Sequence, residues 1–383
     1  MLKSRFLVFH LDDGKELRGG QRQMLYLAKE LTLLGQENVI VCRKNSPLYR
    51  EAARLGLRTF TLPYIFEWDL VSASRLVNLI KRENGKQARC VILHSHTSHT
   101  AAHAWIAGLG LDCIRIVHRR VDFKPGGGLS ARLKYGGAAK VIAISKAVRE
   151  TLIRAGVPPG KIAIINSSID LDVSPWRETG FKNYRIRARE KISALFGIEK
   201  DAFWTGALIA LDPSKNPLNL VRSAKIVLDS RPGTQFLLAG QGKLDAQARA
   251  LAKSLGVASN LHFLGYYPKP YELLSALDLF VMPSSTEGMG SVLLETMNAG
   301  VPIVATCAGG ITDVVEDGKN GLLAPINDPL ALAAAQLRIM SEPGLAGRLT
   351  AEGRARLAEF SSAKMAGRML RLYEEAAACL KTN

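Results

Sequence analysis

Two glutamates, Glu287 and Glu295, enclose the seven-residue run GMGSVLL, a combination suited to gripping a polyol that carries an anion. A carboxylate accepts hydrogen bonds from ligand hydroxyls in pairs. Gly288 and Gly290 lack side chains, so a phosphate can approach the main chain around Met289 and Ser291. The elements that must hold these residues follow from the pattern around them. The apolar run 279–282 has the length of a buried parallel strand, and 284–290 is a polar loop. Ser291 caps or opens a helix whose Val292, Leu293, Leu294 and Met297 contribute to a core-facing side, and Gly300 with Pro302 stops it. A second strand over 301–306 completes a β-loop-α-β unit. A loop running from the carboxyl end of a parallel strand into a helix aims unpaired N–H groups and the positive end of the helix dipole at one point, where anions bind. The implied ligand is a diphosphate with a sugar or ribose on each side.

Histidines supply a second set of reactive groups. His94 and His96, two apart, share one face of a strand, while His99 and His103 stand at i, i+4 on a helix. That spacing can hold zinc, but no carboxylate or cysteine lies nearby in sequence to support it, and no metal is expected. His118 ends another strand, 114–117, followed by Arg119 and Arg120. Gly19 and Gly20 precede an amphipathic helix over 21–34. Asp170 and Asp172 spell a D-x-D, which reads here as a domain-boundary turn without metal.

The whole chain of 383 residues is too long for one ordinary core and suggests two domains. No apolar stretch approaches the roughly 18 residues of a spanning helix. The amino-terminal segment is too short and too soon acidic for a signal peptide, so a cytoplasmic location is expected. Five cysteines without a CxxC read as reduced core residues. The formal net charge is +17, and +13 of it falls before residue 173. A basic half attracts polyanions: an anionic membrane surface, a phosphorylated substrate or nucleic acid. Nucleic acid is set aside, because the basic residues form no compact run interleaved with aromatics. The aromatic and apolar stretch 63–84, with its basic flank, suits a lipid surface or, more readily, core packing. The glycines of 125–137 suggest a mobile loop on the acceptor side.

The setting EGMGSVLLETMNAGVPIVAT resembles the signature of the family 4 retaining glycosyltransferases, also described as glycosyl transferases group 1. That resemblance runs from about residue 5 to residue 380 and is strongest from Lys215 onward. It implies an α/β protein of the GT-B fold: two Rossmann-like domains facing each other across a cleft, with a carboxyl-terminal helix crossing back to the first. The expected boundaries are 1–172 for an acceptor-binding domain, 173–360 for a donor-binding domain and 361–383 for the returning helix.

The resemblance also implies site roles. Glu287 would contact the donor sugar, Glu295 the nucleotide ribose, and the amides of Met289 to Ser291 the diphosphate. Lys215 matches the family's phosphate-binding lysine, Gly19 and Gly20 its donor-side first loop, and His118 a histidine over the reacting sugar. The arginine that usually precedes the lysine has no counterpart; Ile209 to Leu211 occupy that region. The implied activity is metal-independent, retaining hexosyl transfer from a UDP-, GDP- or ADP-sugar, with no further cofactor. The acceptor would be a glycan, lipid-linked or phosphorylated, in lipopolysaccharide, exopolysaccharide or glycolipid synthesis, peripheral on the inner face of the cell membrane. A sugar-nucleotide epimerase on the same fold, or a non-catalytic basic protein of the membrane surface, is the alternative.

Overall fold

The structure, a computed structural model, describes residues 6–85, 89–122, 125–126, 128–171, 174–176 and 179–381. The chain forms two units, Met1–Ser168 together with Ser361–Asn383, and Ile169–Phe360. Asp172, and with it the D-x-D reading, lies outside the described residues.

The first unit is built on strands β1 (Phe6–Leu11), β2 (Glu37–Cys42), β3 (Arg58–Thr61), β4 (Cys90–Ser95), β5 (Ile114–Arg119), β6 (Lys140–Ala143) and β7 (Ile162–Ile164). They pair in the order β3-β2-β1-β4-β5-β6-β7, all parallel. Every residue of β1, FLVFHL, is buried, as a strand covered by helices on both faces requires. The final helix, Ser362–Lys381, belongs to this unit: Met365, Met369, Leu372 and Tyr373 pack with Phe6, Val8, Ile92 and Ile116. The Tyr373 hydroxyl is 2.7 Å from His94 Nδ1 and the Ser362 hydroxyl donates to Glu30 Oε1 at 2.7 Å, so polar contacts flank the apolar face through which the helix docks.

The second unit carries β8 (Trp204–Leu208), β9 (Gln235–Ala239), β10 (Leu261–Gly265), β11 (Leu279–Met282), β12 (Ile303–Thr306) and β13 (Leu322–Ala324) in the order β10-β9-β8-β11-β12-β13. Its strands are parallel too. In each sheet the strand order reverses at one place, between β1 and β4 in the first and between β8 and β11 in the second. Chains leaving neighbouring strands there depart to opposite faces and open a crevice at the carboxyl ends.

Several expectations are refined. The helix after β1 spans Gly19–Leu33, so both glycines are helical, and the Gln21 side chain accepts a hydrogen bond from the Arg18 amide at its start. Within the glycine-rich segment, Leu129–Ala131 and Arg132–Gly136 form helical turns, while Gly127, at the centre of the glycine triplet, lies outside the described residues. Of the cysteines expected in the core, Cys307 and Cys379 are exposed, because each lies on a surface position of a loop or helix. The stretch 63–84 is divided: Tyr64, Leu76, Leu79 and Ile80 enter the core, whereas Ile65, Phe66, Leu70 and Val71 are exposed.

Gly240, just past β9, has φ +142°, and a Cβ there would fall 1.8 Å from the Ile209 carbonyl oxygen. No rotamer change relieves a clash with backbone. Gly240→Ala is expected to destabilise the second unit by about 3 kcal/mol or more, a fall of roughly 6–12 °C in melting temperature. Gly233→Ala, with nothing within 4 Å of the added carbon, should melt with the parent protein. Calorimetry of the two variants checks this.

Candidate active site

In the second unit, the loops that follow β8 and β11 meet at the strand-order reversal. Pro213–Lys215 forms a single 3-10 turn, and Asn216 at φ +48° turns the chain into the helix Pro217–Ser230, accepting from the Asn219 amide. The amides of Ser285 and Thr286 both donate to the Ser214 carbonyl, at 2.9 and 3.1 Å, and the Ser285 hydroxyl donates to Pro213 O at 3.1 Å. These bonds tie the two loops edge to edge. Their result is a salt bridge between Lys215 Nζ and Glu287 Oε2. The carboxylate is nearly enclosed, with 10 % of its side chain exposed, while the ammonium keeps 24 %. Gly310 N donates to the Glu287 carbonyl at 2.9 Å, which anchors the glutamate's backbone to the neighbouring loop.

Past Glu287, Gly288, Met289 and Gly290 are buried, and Gly290 adopts φ +77°. A Cβ at Gly290 would press on Met282 and Leu293 at 3.1–3.2 Å. Ser291 is already helical and makes no side-chain cap, so it opens the helix Val292–Asn298 rather than capping it. Glu295 stands half-buried in that helix's first turn. The structure therefore brings Lys215, Glu287, the glycine pair and the helix start together. A pocket of about 580 Å³, lined by Arg185, Arg189, Lys200 and Asp278, opens instead beside the amino ends of β8 and β11, away from this loop cluster.

In the first unit, the reversal between β1 and β4 gathers histidines. The register sets His10 beside His94 and Ile116 beside His94 on the other side, with His118 two residues further along β5. The rings of His94 and His96 stack at 4.2 Å and 25°, and those of His94 and His118 lie 5.5 Å apart and nearly parallel at 9°. His10 Nδ1 lies 3.1 Å from His96 Nε2, and His10 Nε2 lies 3.0 Å from Asn38 Oδ1. Arg120 Nη2 is 3.2 Å from both His96 Nδ1 and His118 Nδ1. A Cβ on Gly20 would come within 3.3 Å of Arg120 Cδ, so the glycine lets the arginine pass beneath the helix start.

Burial disfavours imidazolium throughout this cluster. It holds His94, His96 and His118 well below 6.5, with the Arg120 charge adding in the same direction, and His10 at about 4 despite the opposing Asn38 bond. Burial likewise raises Asp12 to about 6, against the bonds it accepts from Gln21 and Gly14.

His99 and His103 do not form a ligand pair. His99 bonds Asp13 at 3.0 Å on the surface, and His103 turns its Nδ1 to the His99 carbonyl and its ring edge against Tyr64. The three histidines that do lie close are His10, His94 and His96, with ligand-capable nitrogens within 4.8 Å of one another. His10, Arg120 and Asp12 are absent from the sequence-based assignment. The available signal was a histidine inside the otherwise apolar run FLVFHL, which a fully buried strand does not carry without a partner.

Comparison with known proteins bears on both units. Residues 189–356 match the family model described as Glycosyl transferases group 1, and residues 17–173 match Glycosyltransferase Family 4. A putative glycosyltransferase, EpsD of Bacillus subtilis, is 31% identical over 187 residues, 49% of this chain and 48% of that protein. The chain thus spans about half the length of that relative. The UDP-Gal:alpha-D-GlcNAc-diphosphoundecaprenol alpha-1,3-galactosyltransferase of Escherichia coli is 26% identical over 362 residues, 88% of this chain and 89% of that one. HepE of Anabaena, solved in complex with UDP and glucose, superposes with a TM-score of 0.80 at 18% identity, covering 96% of this chain and 99% of its own. Each unit has the parallel α/β architecture of the GT-B fold. With one model matching each half, the chain belongs to the family 4, group 1 glycosyl transferases.

Proposed function

We propose that the protein transfers a sugar from a nucleotide-sugar donor to an acceptor hydroxyl, with retention at the anomeric carbon. The observation that carries this reading is the Lys215–Glu287 pair at the strand-order reversal of the second sheet, beside a glycine-lined helix start. Without ligand, the ammonium and the carboxylate satisfy each other. A diphosphate carries more negative charge than one carboxylate, so it draws the ammonium away and leaves Glu287 to accept from the sugar hydroxyls. Backbone amides at Met289 to Ser291 complete the phosphate cradle, with Gly288 and Gly290 admitting it, and Glu295 takes the ribose. In this reading His118 offers a ring nitrogen to the donor sugar, and Gly19 and Gly20 contribute from the start of the first helix.

As the glycosidic bond breaks, negative charge grows on the departing diphosphate, and Lys215 with the amides stabilises it. Glu287 positions the sugar without attacking it, and the departing phosphate takes the acceptor proton. No metal enters this scheme. The hexosyl donor is a UDP-, GDP- or ADP-sugar; the HepE complex with UDP and glucose supports that class.

The acceptor in this reading is a lipid-linked or phosphorylated glycan at an anionic membrane surface, in lipopolysaccharide, exopolysaccharide or glycolipid assembly. Among the described residues no helix is long and apolar enough to cross a membrane. Support comes from the diphosphoundecaprenol named for the E. coli relative, from the basic surplus, and from exposed Ile65, Phe66, Leu70 and Val71. Arg75, Lys81 and Arg82 are exposed along the same helix, Leu70–Asn84. Apolar side chains that insert beside cations that meet lipid phosphates make an interfacial contact.

Two measurements test these points. Nucleoside diphosphate release is followed over a panel of sugar nucleotides, with and without lipid-linked acceptor; transfer requires the acceptor, whereas a sugar product formed from donor alone would mark an epimerase. Lys215→Ala should lower kcat by about 10²–10³-fold and weaken nucleoside diphosphate binding. Glu287→Gln should lower transfer comparably yet bind the nucleoside diphosphate at least as well as the parent, because its lysine is released. Trapping of a glycosyl adduct on Glu287 would contradict its positioning role. Separately, the protein should co-sediment with vesicles containing anionic lipid, less so as salt rises. The pair Phe66→Glu with Leu70→Glu should abolish that while leaving nucleotide binding intact.

A further inference from the structure

We propose that Arg120 is a positioning residue that fixes the ring proton of His118 on Nε2, so that a neutral N–H is presented to the ligand. The inference rests on the reading of His118 as a sugar-contacting group, but its structural half stands on hydrogen bonds alone.

A guanidinium donates and never accepts. Arg120 Nη2 carries two hydrogens and lies 3.2 Å from each of two Nδ1 atoms, those of His96 and His118. Both Nδ1 atoms therefore present lone pairs, and each neutral ring carries its proton on Nε2. On one branch the consequence runs to completion. His96 Nε2–H donates to His10 Nδ1 at 3.1 Å, His10 Nε2–H donates to Asn38 Oδ1 at 3.0 Å, and Asn38 Nδ2 donates to Thr32 Oγ1 and Gln36 O at 3.0 Å. On the other branch the chain stops. His118 is 4 % exposed, and its Nε2 has no hydrogen-bond partner. Burying an N–H without a partner is unfavourable, and a ligand hydroxyl recovers that cost.

The groups facing His118 are Arg120 just past its own strand, His94 from β4 and His96 just past it, and, one ring further, His10 from β1 and Asp12 just past it, with Tyr373 from the last helix. The nearest carries a positive charge, so a second proton on His118 would sit on Nδ1 directly against the guanidinium. The same assignment weighs against a metal at His10, His94 and His96. It places a proton between His10 and His96, and the stacked rings of His94 and His96 bring together faces rather than lone pairs.

The test is 15N NMR of the full-length protein labelled at histidine, which distinguishes protonated from bare ring nitrogens. His118, His96 and His10 should each be protonated at Nε2 and bare at Nδ1 between pH 6 and 8. In Arg120→Met, His118 should populate the other tautomer and titrate closer to the ordinary histidine value, giving kcat a new acid limb. Its kcat should fall about 10- to 100-fold, the range seen when an orienting partner is lost, with donor KM changing less. Arg120→Lys, which keeps the charge and the donors, should restore most of both signals. A wild-type His118 protonated at Nδ1, an Arg120→Met protein with unchanged tautomer and pH profile, or one equivalent of zinc shifting the His10 and His96 signals would each overturn the proposal. The wild-type spectrum decides the tautomer even if Arg120→Met fails to fold. A correct tautomer in a protein that transfers no sugar would refute the functional reading and leave the hydrogen-bond assignment standing.

Discussion

A parallel sheet whose strand order reverses cannot close the gap where its two innermost connections part, and both candidate sites of this protein are consequences of that constraint. In the first sheet the gap after β1 and β4 receives His10, Asp12, His94 and His96. In the second, the gap after β8 and β11 receives Lys215 and Glu287. The strands themselves contribute rigidity. Those that flank the gaps, β1, β4, β8 and β11, are almost wholly buried, and the loops at their ends are held by backbone bonds such as those from Ser285 and Thr286 to Ser214.

The two gaps handle charge in opposite ways. At β8 and β11 opposite charges meet and neutralise one another, which makes the pair tolerable at low exposure and easily exchanged for a stronger anion. At β1 and β4 the one formal cation in contact with the rings, among the described residues, is the Arg120 guanidinium, and burial disfavours a charge on the imidazoles around it. Neutral rings avoid the several kcal/mol that a buried unpaired ion costs, and they leave their nitrogens available as directed donors and acceptors. The same enclosure raises the buried Asp12 carboxyl to about 6. One site is thus poised for anion exchange and the other for hydrogen bonding.

The second site was legible in the sequence because its parts are contiguous: strand, glycine loop, helix and strand follow one another from 279 to 306, and only Lys215 joins from elsewhere. The first site was legible at His118 and at the pair His94 and His96. Its partners come from three strands and a helix far apart in the chain, and they meet through register, which a single sequence does not disclose. Local spacing actively misled at His99 and His103, where an i, i+4 pair is used for surface bonding and packing. It misled again at Gly19 and Gly20, where a glycine pair reads as a turn signal but stands in the helix, and at Gly20 a side chain would press on Arg120. Exposure of Cys307 and Cys379 was lost to composition-level reasoning, which assigns a residue type rather than a position.

One departure from the family pattern has a physical consequence for the proposed donor contact. Where an arginine usually precedes the lysine, this chain has Ile209 and Leu211, both buried in the apolar core of the second unit. Their backbone is committed as well: Ile209 N bonds Ala239 O, Leu211 N bonds Gln241 O, and Gly240 packs on the Ile209 carbonyl. That edge of the gap is therefore fixed and uncharged, and the cation contributed by the β8 loop is Lys215. One ammonium does not neutralise a diphosphate, so more of the anion's stabilisation must come from oriented backbone amides. Those amides depend on the left-handed turn at Gly290, whose φ of +77° a residue with a side chain rarely adopts. On the proposed reading, anion recognition therefore rests more on the path of the main chain than on a replaceable side chain.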